Sequence, residues 1–293
     1  MQVFVTGATG LIGSAVVAEL LQHGHTPLGL ARSDASAAKL EAVGAEAVRG
    51  SLTDLDVLRA AAGSADGVIH LAFSNDFSSP EALARSIEEE AAAQAAIGEA
   101  LVGTGKPYVV CSGTPAVPGR ASTEADALPL DGPVAGRSRA VTSTLAFAER
   151  GVRTSAVRLP RTVHAEGQGG FAGLLTQIAR QSGVSGYIGD GSQRWPAVHA
   201  KDAAALFRLA LENAPAGTAW HAVDDEGDPV KAIAEVIGRR LGVPVQEVPA
   251  DSYGPIGAIF AADQPASSAH TRETLNWQPV HPKLLDDLEL IKP

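Results

Sequence analysis

The sequence predicts a doubly wound α/β fold, in which a parallel sheet carries helices on both of its faces. Short apolar runs alternate with helical stretches along the first half of the chain, which is the pattern of strands joined by crossover helices. Several runs are uniformly apolar, as expected for strands that are buried on both faces. Glycines that can end a helix follow most of the predicted helices, at Gly24, Gly44, Gly63 and Gly151.

Strands and helices are predicted in turn up to residue 160. The strands are Val3–Thr6, Thr26–Leu30, Ala45–Arg49, Gly67–Leu71, Pro107–Ser112 and Arg153–Leu159. The helices lie near Leu11–His23, Ala35–Val43, Asp54–Ala61, Pro80–Val102 and Arg137–Arg150. The rhythm then changes, because a glycine-rich stretch precedes an apolar helix. The later elements are a helix at Asp202–Asn213, a strand at Ala219–Val223 and a helix at Pro229–Leu241.

Composition excludes several classes of protein. The 293 residues suffice for one large or two interlocked domains, and 45% hydrophobic with 19% charged residues is typical of a globular chain. A net charge of −10 argues against a nucleic-acid-binding surface. The single Cys111 cannot form an intrachain disulfide, and neither a signal peptide nor an apolar run of membrane-spanning length is visible. We expect a soluble, cytoplasmic protein that binds a small molecule and neither nucleic acid nor membrane.

A glycine-rich segment, TGATGLIG at residues 6–13, follows the first strand and opens the first helix. Gly7 suits the tight turn off the strand, Gly10 lets the backbone approach a pyrophosphate, and Gly13 lets the helix pack on the sheet. The free N–H groups and the positive end of the helix dipole attract an anion. The segment therefore predicts a dinucleotide site. Its loop contacts are Gly7, Thr9, Gly10, Leu11, Ile12 and Gly13.

The Gly-x-x-Gly-x-x-Gly spacing resembles the extended and atypical branches of the short-chain dehydrogenase/reductase superfamily, which are similar to NAD-dependent epimerases and dehydratases. Further similar segments are VIHLA (68–72), VVCS (109–112), VRLP (157–160), WPAVHAKDAA (195–204) and TRETLNWQP (271–279). The resemblance covers most of the chain. It implies a Rossmann NAD(P)-binding domain at residues 1–160 and a smaller C-terminal substrate-binding region at 161–293, interleaved with the last sheet strand or strands.

The end of the second strand indicates which cofactor is bound. In a Rossmann unit an acidic residue there favours NAD, whereas an arginine accommodates the 2′-phosphate of NADP. This chain has Arg32 at that place, with the Ser33 hydroxyl beside it. We predict NADP(H), with NAD(H) as the alternative, and a solvated surface charge is the other interpretation of Arg32.

Other cofactor contacts follow from the same resemblance. Ser51 and Leu52 stand where the family usually has an Asp-Leu pair beside the adenine, so the serine is a departure from the pattern. Ala72 ends the fourth strand segment and Pro160 follows the sixth strand. Both are expected to line the cofactor site.

The proton donor of the family is a tyrosine followed four residues later by a lysine, and no such pair occurs in this chain. By register on the helix before the sixth strand, Ala135 falls at the tyrosine position and Arg139 at the lysine position. Arg139 is predicted to hold the nicotinamide ribose as a cation, with an exposed helix charge as the alternative. Ser112 matches the catalytic serine of the family.

Hydride chemistry would then need a different proton source. The candidates are His164, Ser74 and Asp76 in the loop 72–77, and Tyr187. An unperturbed pKa near 6.5 suits the histidine to proton transfer at neutral pH. Side chains that could line an apolar substrate pocket, and that also fit core positions, are Phe73, Phe171, Tyr187 and Trp195.

No metal constellation is visible in the sequence, which has no His-x-x-x-His and no second cysteine. The run Glu88-Glu89-Glu90 is interpreted as a solvated helix face. We predict an NADP(H)-dependent oxidoreductase that acts on a small carbonyl, imine or activated alkene with a proton source other than tyrosine. The alternatives are an NAD(P)-dependent epimerase or dehydratase and a non-catalytic NADP(H)-binding sensor. The resemblance also implies a homodimer.

Overall fold

The computed structural model describes residues 1–74, 76, 79–132 and 135–292. Asn75 and Phe77, in the predicted loop 72–77, lie outside the described residues. The chain forms two compact units, the first from residues 1–112, 128–158 and 204–220, the second from residues 113–127, 159–203 and 221–293. The predicted boundary after residue 160 falls two residues beyond the stretch 128–158, but each unit is assembled from three separate stretches of chain.

Strands and helices alternate along most of the chain. The strands are β1 (Gln2–Thr6), β2 (Thr26–Ala31), β3 (Glu46–Arg49), β4 (Gly67–His70), β5 (Pro107–Gly113), β6 (Arg153–Leu159), β7 (Thr162–His164), β8 (Ser185–Tyr187), β9 (Arg194–His199), β10 (Thr218–His221), β11 (Asp225–Pro229) and β12 (Val245–Glu247). The helices are α1 (Leu11–Gln22), α2 (Asp34–Ala42), α3 (Leu55–Ser64), α4 (Pro80–Leu101), α5 (Ala135–Leu145), α6 (Gly170–Ser182), α7 (Ala200–Asn213), α8 (Val230–Leu241), α9 (Gly257–Phe260), α10 (Ala269–Leu275) and α11 (Leu284–Leu288). Short 3₁₀ segments lie at Ala146–Arg150 and Ala250–Ile256.

The first unit is built on a parallel sheet, which in the described part of the chain has seven strands in the order β10-β6-β5-β4-β1-β2-β3. The chain adds β2 and β3 on one side of β1 and then returns to place β4, β5 and β6 on the other side. Ligands of such sheets bind where the strand order reverses, outside the carboxyl ends of the strands. The predicted doubly wound fold is confirmed. Its last strand is β10, which comes late in the chain.

Strands that are apolar on both faces explain why helices cover both faces of this sheet. Val3, Phe4 and Val5 of β1 have no exposed surface, and neither do Val68 and Ile69 of β4. Burying such a side chain stabilises a fold by about 1.5–3 kcal/mol relative to leaving it in water. The helices α3 and α4 contribute to the core on these strands.

The second unit contains a three-stranded sheet in the order β11-β9-β7 and a parallel pair formed by β12 and β8. Strand β9 runs parallel to β7 and antiparallel to β11. Side chains of α6, α8 and α11 form a core with Trp195 and Ala197 of β9. Across the described residues of both units, no helix is both long and apolar enough to cross a membrane.

Candidate active site

The glycine-rich segment forms a tight turn between β1 and α1. Gly7 has a φ of 70°, which side-chain-bearing residues rarely adopt, and its carbonyl accepts the Gly10 N–H at 3.1 Å. A Cβ on Gly13 would lie 2.0 Å from that same carbonyl oxygen. Only glycine therefore allows α1 to start so close to the turn.

The first turn of α1 presents N–H groups that no described side chain caps. Gly10 is the N-cap residue, no side chain caps the helix, and its first turn has no acidic residue. Leu11 is 44% exposed, and Thr9 and Ile12 are half-buried, so this helix end is accessible. Free N–H groups and the positive end of a helix dipole favour an anion such as a phosphate.

Thr6 joins the carboxyl ends of β1 and β4. Its Oγ1 accepts the N–H groups of Leu71 and Ala72, both at 3.2 Å. Because these two bonds occupy the oxygen lone pairs, the remaining hydroxyl hydrogen is assigned as the donor to Nδ1 of His70, at 3.0 Å. The predicted contact Ala72 is thereby held against the turn, because a Cβ on Gly7 would lie 2.9 Å from the Ala72 nitrogen. The wall of the site nearest to the glycine turn is thus fixed by hydrogen bonds.

His70 must stay neutral in this arrangement. Its Nδ1 accepts a hydrogen bond, and burial, followed by the nearby Arg137 charge, lowers the pKa of His70 to about 3. Since the unfolded chain has a histidine pKa near 6.5, the folded state binds fewer protons between that pH and about pH 3. Stability supplied by neutral His70 is therefore fully present above pH 6.5 and decreases as the pH falls.

The expected slope for this one proton is about 1.4 kcal/mol of unfolding free energy per pH unit. This slope is measured by urea denaturation of the native protein and of His70→Asn at a series of pH values. The asparagine amide oxygen can accept the hydrogen bond from Thr6 and does not titrate. The variant should lose the His70 part of the pH dependence below pH 6.5, whereas the exposed control His23→Asn should keep it. Parallel curves for all three proteins would contradict the assignment.

The end of β2 carries the residues predicted to select the cofactor. Arg32 is exposed, and no described carboxylate forms an ion pair with it. Ser33 is predicted to lie beside a 2′-phosphate, but its Oγ caps α2 by accepting the Ser36 N–H at 3.2 Å. The 2′-phosphate contact of Ser33 stays a prediction. The neighbouring Asp34 pairs with Arg49 at the end of β3, at 2.9 Å, which leaves Arg32 as the unpaired cation of this segment.

The predicted adenine contacts follow β3. The N–H and hydroxyl groups of Ser51 donate to the Asp54 carboxylate at 2.7 and 2.8 Å, and these bonds hold the pKa of Asp54 below its usual range. Ser51 therefore shapes the turn before α3. Leu52 is half-buried and packs on the core of the first unit.

A buried ion pair stands behind the loop that follows β4. The Arg137 guanidinium of α5 donates two hydrogen bonds to Glu90 of α4, at 2.7 and 2.9 Å, and the Glu90 side chain is only 3% exposed. The same guanidinium lies over the Phe73 ring, 4.1 Å from its centroid. Ser74 is tied to the same helix by its hydroxyl, which donates to Ser86 Oγ at 2.6 Å. Two predicted substrate contacts, Phe73 and Ser74, are thus positioned by side chains of α5 and α4.

Sequence reasoning missed this pair and wrongly interpreted Glu90 as part of a solvated face. A signal was present, because the buried positions of α4 include Ala82, Ser86, Glu90, Ala93 and Ile97. Their spacing of three and four residues marks one helix face. The neighbouring charges of the acidic run misled the interpretation, since only one of them lies on that face.

The residues at the predicted catalytic positions of α5 and β5 differ in accessibility. Ala135 is 5% exposed, whereas Arg139 is exposed and donates to the Leu130 carbonyl at 3.2 Å. This contact favours the interpretation of Arg139 as an exposed helix charge. Ser112 is buried at the carboxyl end of β5, and burial raises the pKa of the adjacent Cys111 thiol to about 12, so the thiol stays protonated. Asp76 is exposed.

His164, the predicted proton source, is buried in the second unit. Its side chain is 1% exposed, and Nδ1 contacts the Asp287 carboxylate at 3.0 Å. That carboxylate also accepts the N–H groups of Glu166 and Gly167, at 3.0 and 2.9 Å. These bonds attach α11 to the loop between β7 and α6. Because no part of the imidazole faces solvent, the structure assigns His164 an anchoring role and does not support its prediction as an accessible acid.

The other predicted site residues of the second unit differ in how far they are buried. Trp195 has no exposed surface and packs on Phe171 and Phe260, with ring centroids 5.7 and 5.1 Å away, so it is a core residue and not pocket lining. Pro160 is buried directly after β6. Tyr187 is half-buried at the end of β8 and remains accessible.

His199, Asp202 and His281 form a cluster in the second unit whose potential ligand atoms all lie within 4.8 Å of one another. The two imidazole rings are stacked, 13° from parallel, and imidazole lone pairs lie in the ring plane, so both rings cannot point at one ion. Asp202 is already engaged, because it accepts the N–H groups of Val280 and His281, both at 3.0 Å. The cluster therefore anchors the C-terminal segment and has the wrong geometry for a metal.

Residues 3–222 match the model of the NAD dependent epimerase/dehydratase family. The match spans most of the chain and includes β1 through β10, with the glycine turn. This chain belongs to that family. The family is one of NAD-dependent enzymes, in agreement with an accessible helix N-terminus behind a glycine-rich turn.

Two fungal proteins are similar to this family member over nearly their full lengths. The uncharacterized protein C2A9.02 of Schizosaccharomyces pombe is 44% identical over 98% of both chains. The uncharacterized protein YLL056C of Saccharomyces cerevisiae is 42% identical, also over 98% of both chains.

Solved structures share the fold of this family member at low sequence identity. UDP-glucose 4-epimerase of Thermotoga maritima, solved with UDP-glucose, has a TM-score of 0.80 and 20% identity, over 99% of this chain and 97% of its own. The dTDP-glucose 4,6-dehydratase DesIV of Streptomyces venezuelae, solved with NAD, has a TM-score of 0.80 and 19% identity, over 99% and 95%.

Proposed function

We propose that this family member is an NADP(H)-dependent oxidoreductase that reduces a small carbonyl, imine or activated alkene. The observation that supports it most is the uncapped, accessible start of α1 behind the turn of Gly7, Gly10 and Gly13. The N–H groups of that first helical turn would hold the dinucleotide pyrophosphate. The exposed, unpaired Arg32 would bind the 2′-phosphate of NADP.

A bound nicotinamide supplies hydride, and the side chains of this protein have to hold the dinucleotide and manage the proton. Ala135 stands where the family resemblance places a tyrosine, and a methyl group has no proton to donate. His164 is enclosed by its own unit. The proton source we propose is therefore water or a polar side chain of the first unit, with Ser112, Ser74 and Asp76 as the candidates.

Deuterium transfer tests the proposed reaction directly. The protein is incubated with 4-deuterated NADPH and a panel of carbonyl, imine and enone compounds, and products are analysed for deuterium. Label in a product is expected. Isomerisation of a sugar nucleotide without net NADPH loss would instead favour an epimerase, the function that family membership supports as second candidate. Tight NADPH binding without transfer to any compound would favour a sensor.

Arg32→Ala tests the cofactor preference. Removing a charge-assisted contact to the 2′-phosphate costs about 1.5–3 kcal/mol, so the ratio of NADPH to NADH affinity should fall by about 10–100-fold. Fluorescence titration with both cofactors measures this ratio. Arg59→Ala, which removes an exposed arginine paired with Asp56, is the control and should leave it unchanged. An unaltered ratio in Arg32→Ala would show that another residue selects the cofactor.

A further inference from the structure

Arg161, between β6 and β7, is a cation with no counterion among the described residues. Its side chain is half-buried, and its Nε is fully enclosed. In the part of the chain that the structure describes, no carboxylate or other acceptor hydrogen-bonds the guanidinium. Burial lowers the pKa of Arg161 to about 10, because removal from water disfavours the charged form.

Other partly buried arginines have carboxylate or carbonyl partners. Arg137 is held by Glu90, and Arg208 is held by Glu19 and Glu212. Arg153, which pairs with no described carboxylate, donates to two backbone carbonyls, at 2.7 and 3.1 Å. Because a partly buried charge without a partner destabilises a fold, the exception at Arg161 needs a reason.

The surroundings of Arg161 favour a singly charged, planar anion. On one side the guanidinium has the Phe171 ring, whose centroid lies 5.4 Å from Cζ. That ring packs on Trp195 and Phe260, so this side is apolar and rigid. A guanidinium presents parallel N–H groups that match two oxygens of a carboxylate or of a phosphate. We favour the carboxylate because its one negative charge is neutralised by this single cation.

The carboxylate bound to the neighbouring strand β7, that of Asp287, does not take the place of this anion. His164, three residues along in β7, binds Asp287, and the Asp287 oxygens are filled by that histidine and two backbone N–H groups. The side chain of Arg161 nevertheless keeps part of its surface accessible. An anion from solution can therefore reach it.

We propose that Arg161 is a specificity-determining residue that binds a carboxylate carried by the substrate. This inference rests on the proposed function for the reaction, and adds a substrate class to it: small oxo, imino or unsaturated acids. Arg161 pairs with the carboxylate, the Phe171 ring backs the guanidinium, and no bond is made or broken at this residue.

The test is a binding measurement without turnover, so failure of this inference and failure of the proposed function can be told apart. Thermal unfolding is followed with pyruvate, crotonate and benzoate and with the corresponding neutral amides. The native protein should be stabilised by at least one acid and not by its amide. In Arg161→Met the affinity for that acid should fall about tenfold or more.

The same variant distinguishes a binding role from a structural one. Methionine removes an unpaired buried charge and keeps the apolar stem, so Arg161→Met should unfold about 2 °C or more above the native protein when no ligand is present. Arg239→Met, which removes an exposed arginine paired with Glu289, should leave acid binding unchanged. NADPH affinity should be the same in all three proteins.

Several outcomes would overturn the inference. They are a lower unfolding temperature of Arg161→Met, equal stabilisation by acids and amides, and tighter binding of phenyl phosphate than of benzoate. A large loss of NADPH affinity in Arg161→Met would also overturn it, since the residue would then hold a cofactor phosphate.

Discussion

Gly13→Ala is expected to weaken dinucleotide binding strongly and to destabilise the protein. The new Cβ would lie 2.0 Å from the Gly7 carbonyl oxygen and 2.8 Å from the Ala8 Cα. Both are backbone atoms of the turn, so relief requires moving α1 away from β1. Overpacking of this kind costs about 1–3 kcal/mol or more. Urea denaturation should show that loss, and NADPH titration should show a fall in affinity of about 100-fold or more, since the N–H groups no longer converge.

Gly10→Ala is the matched variant that separates folding from binding. Its Cβ would meet only the Gly7 carbonyl oxygen, at the ordinary contact distance of 3.5 Å, and its φ of −79° suits alanine. The unfolding free energy should change by less than about 1 kcal/mol. NADPH affinity should nevertheless fall sharply, because the methyl group occupies the space needed by the pyrophosphate. Native-like NADPH affinity in Gly10→Ala would exclude this turn as the phosphate site.

Glu90→Gln is expected to destabilise the first unit strongly. It leaves the Arg137 guanidinium, which is only 30% exposed, without its carboxylate. Breaking a buried pair by removing one partner costs about 3–5 kcal/mol, because the remaining charge stays desolvated. The Phe73 ring that lies under this guanidinium should lose its fixed position as well. Urea denaturation gives the stability, and NADPH titration reports the effect on the site.

A double variant shows whether the cost arises from the stranded charge. Glu90→Leu combined with Arg137→Met removes both charges, and its unfolding free energy should return most of the way to that of the native protein. Glu88→Gln, an exposed change on the same helix, should be neutral. A double variant that is as unstable as Glu90→Gln would mean that packing around these side chains, and not charge, sets the stability.

Local pattern accounts for most of the fold. The apolar runs predict β1 through β6 closely because strands buried on both faces leave a continuous signal, and each predicted strand is found in the sheet. The glycine turn could also be predicted from the sequence, since the backbone at Gly7 and Gly13 has requirements that no other residue satisfies. The burial of individual side chains could not be predicted from the sequence. The burial of Glu90 and His164 was not predicted, and the choice between pocket and core for Trp195 stayed open, because exposure depends on which distant element covers a position.

The sequence by itself determined the doubly wound sheet, the glycine turn before α1 and the absence of a tyrosine–lysine pair, because each depends on residues that are close along the chain. Only the tertiary structure decided which charges are paired. It joined Arg137 to Glu90 across 47 positions and His164 to Asp287 across 123, and among the described residues it placed no carboxylate against Arg161. The free energy of a charged side chain is set by solvent exclusion and by the nearest opposite charge, and both arise only when distant segments pack together.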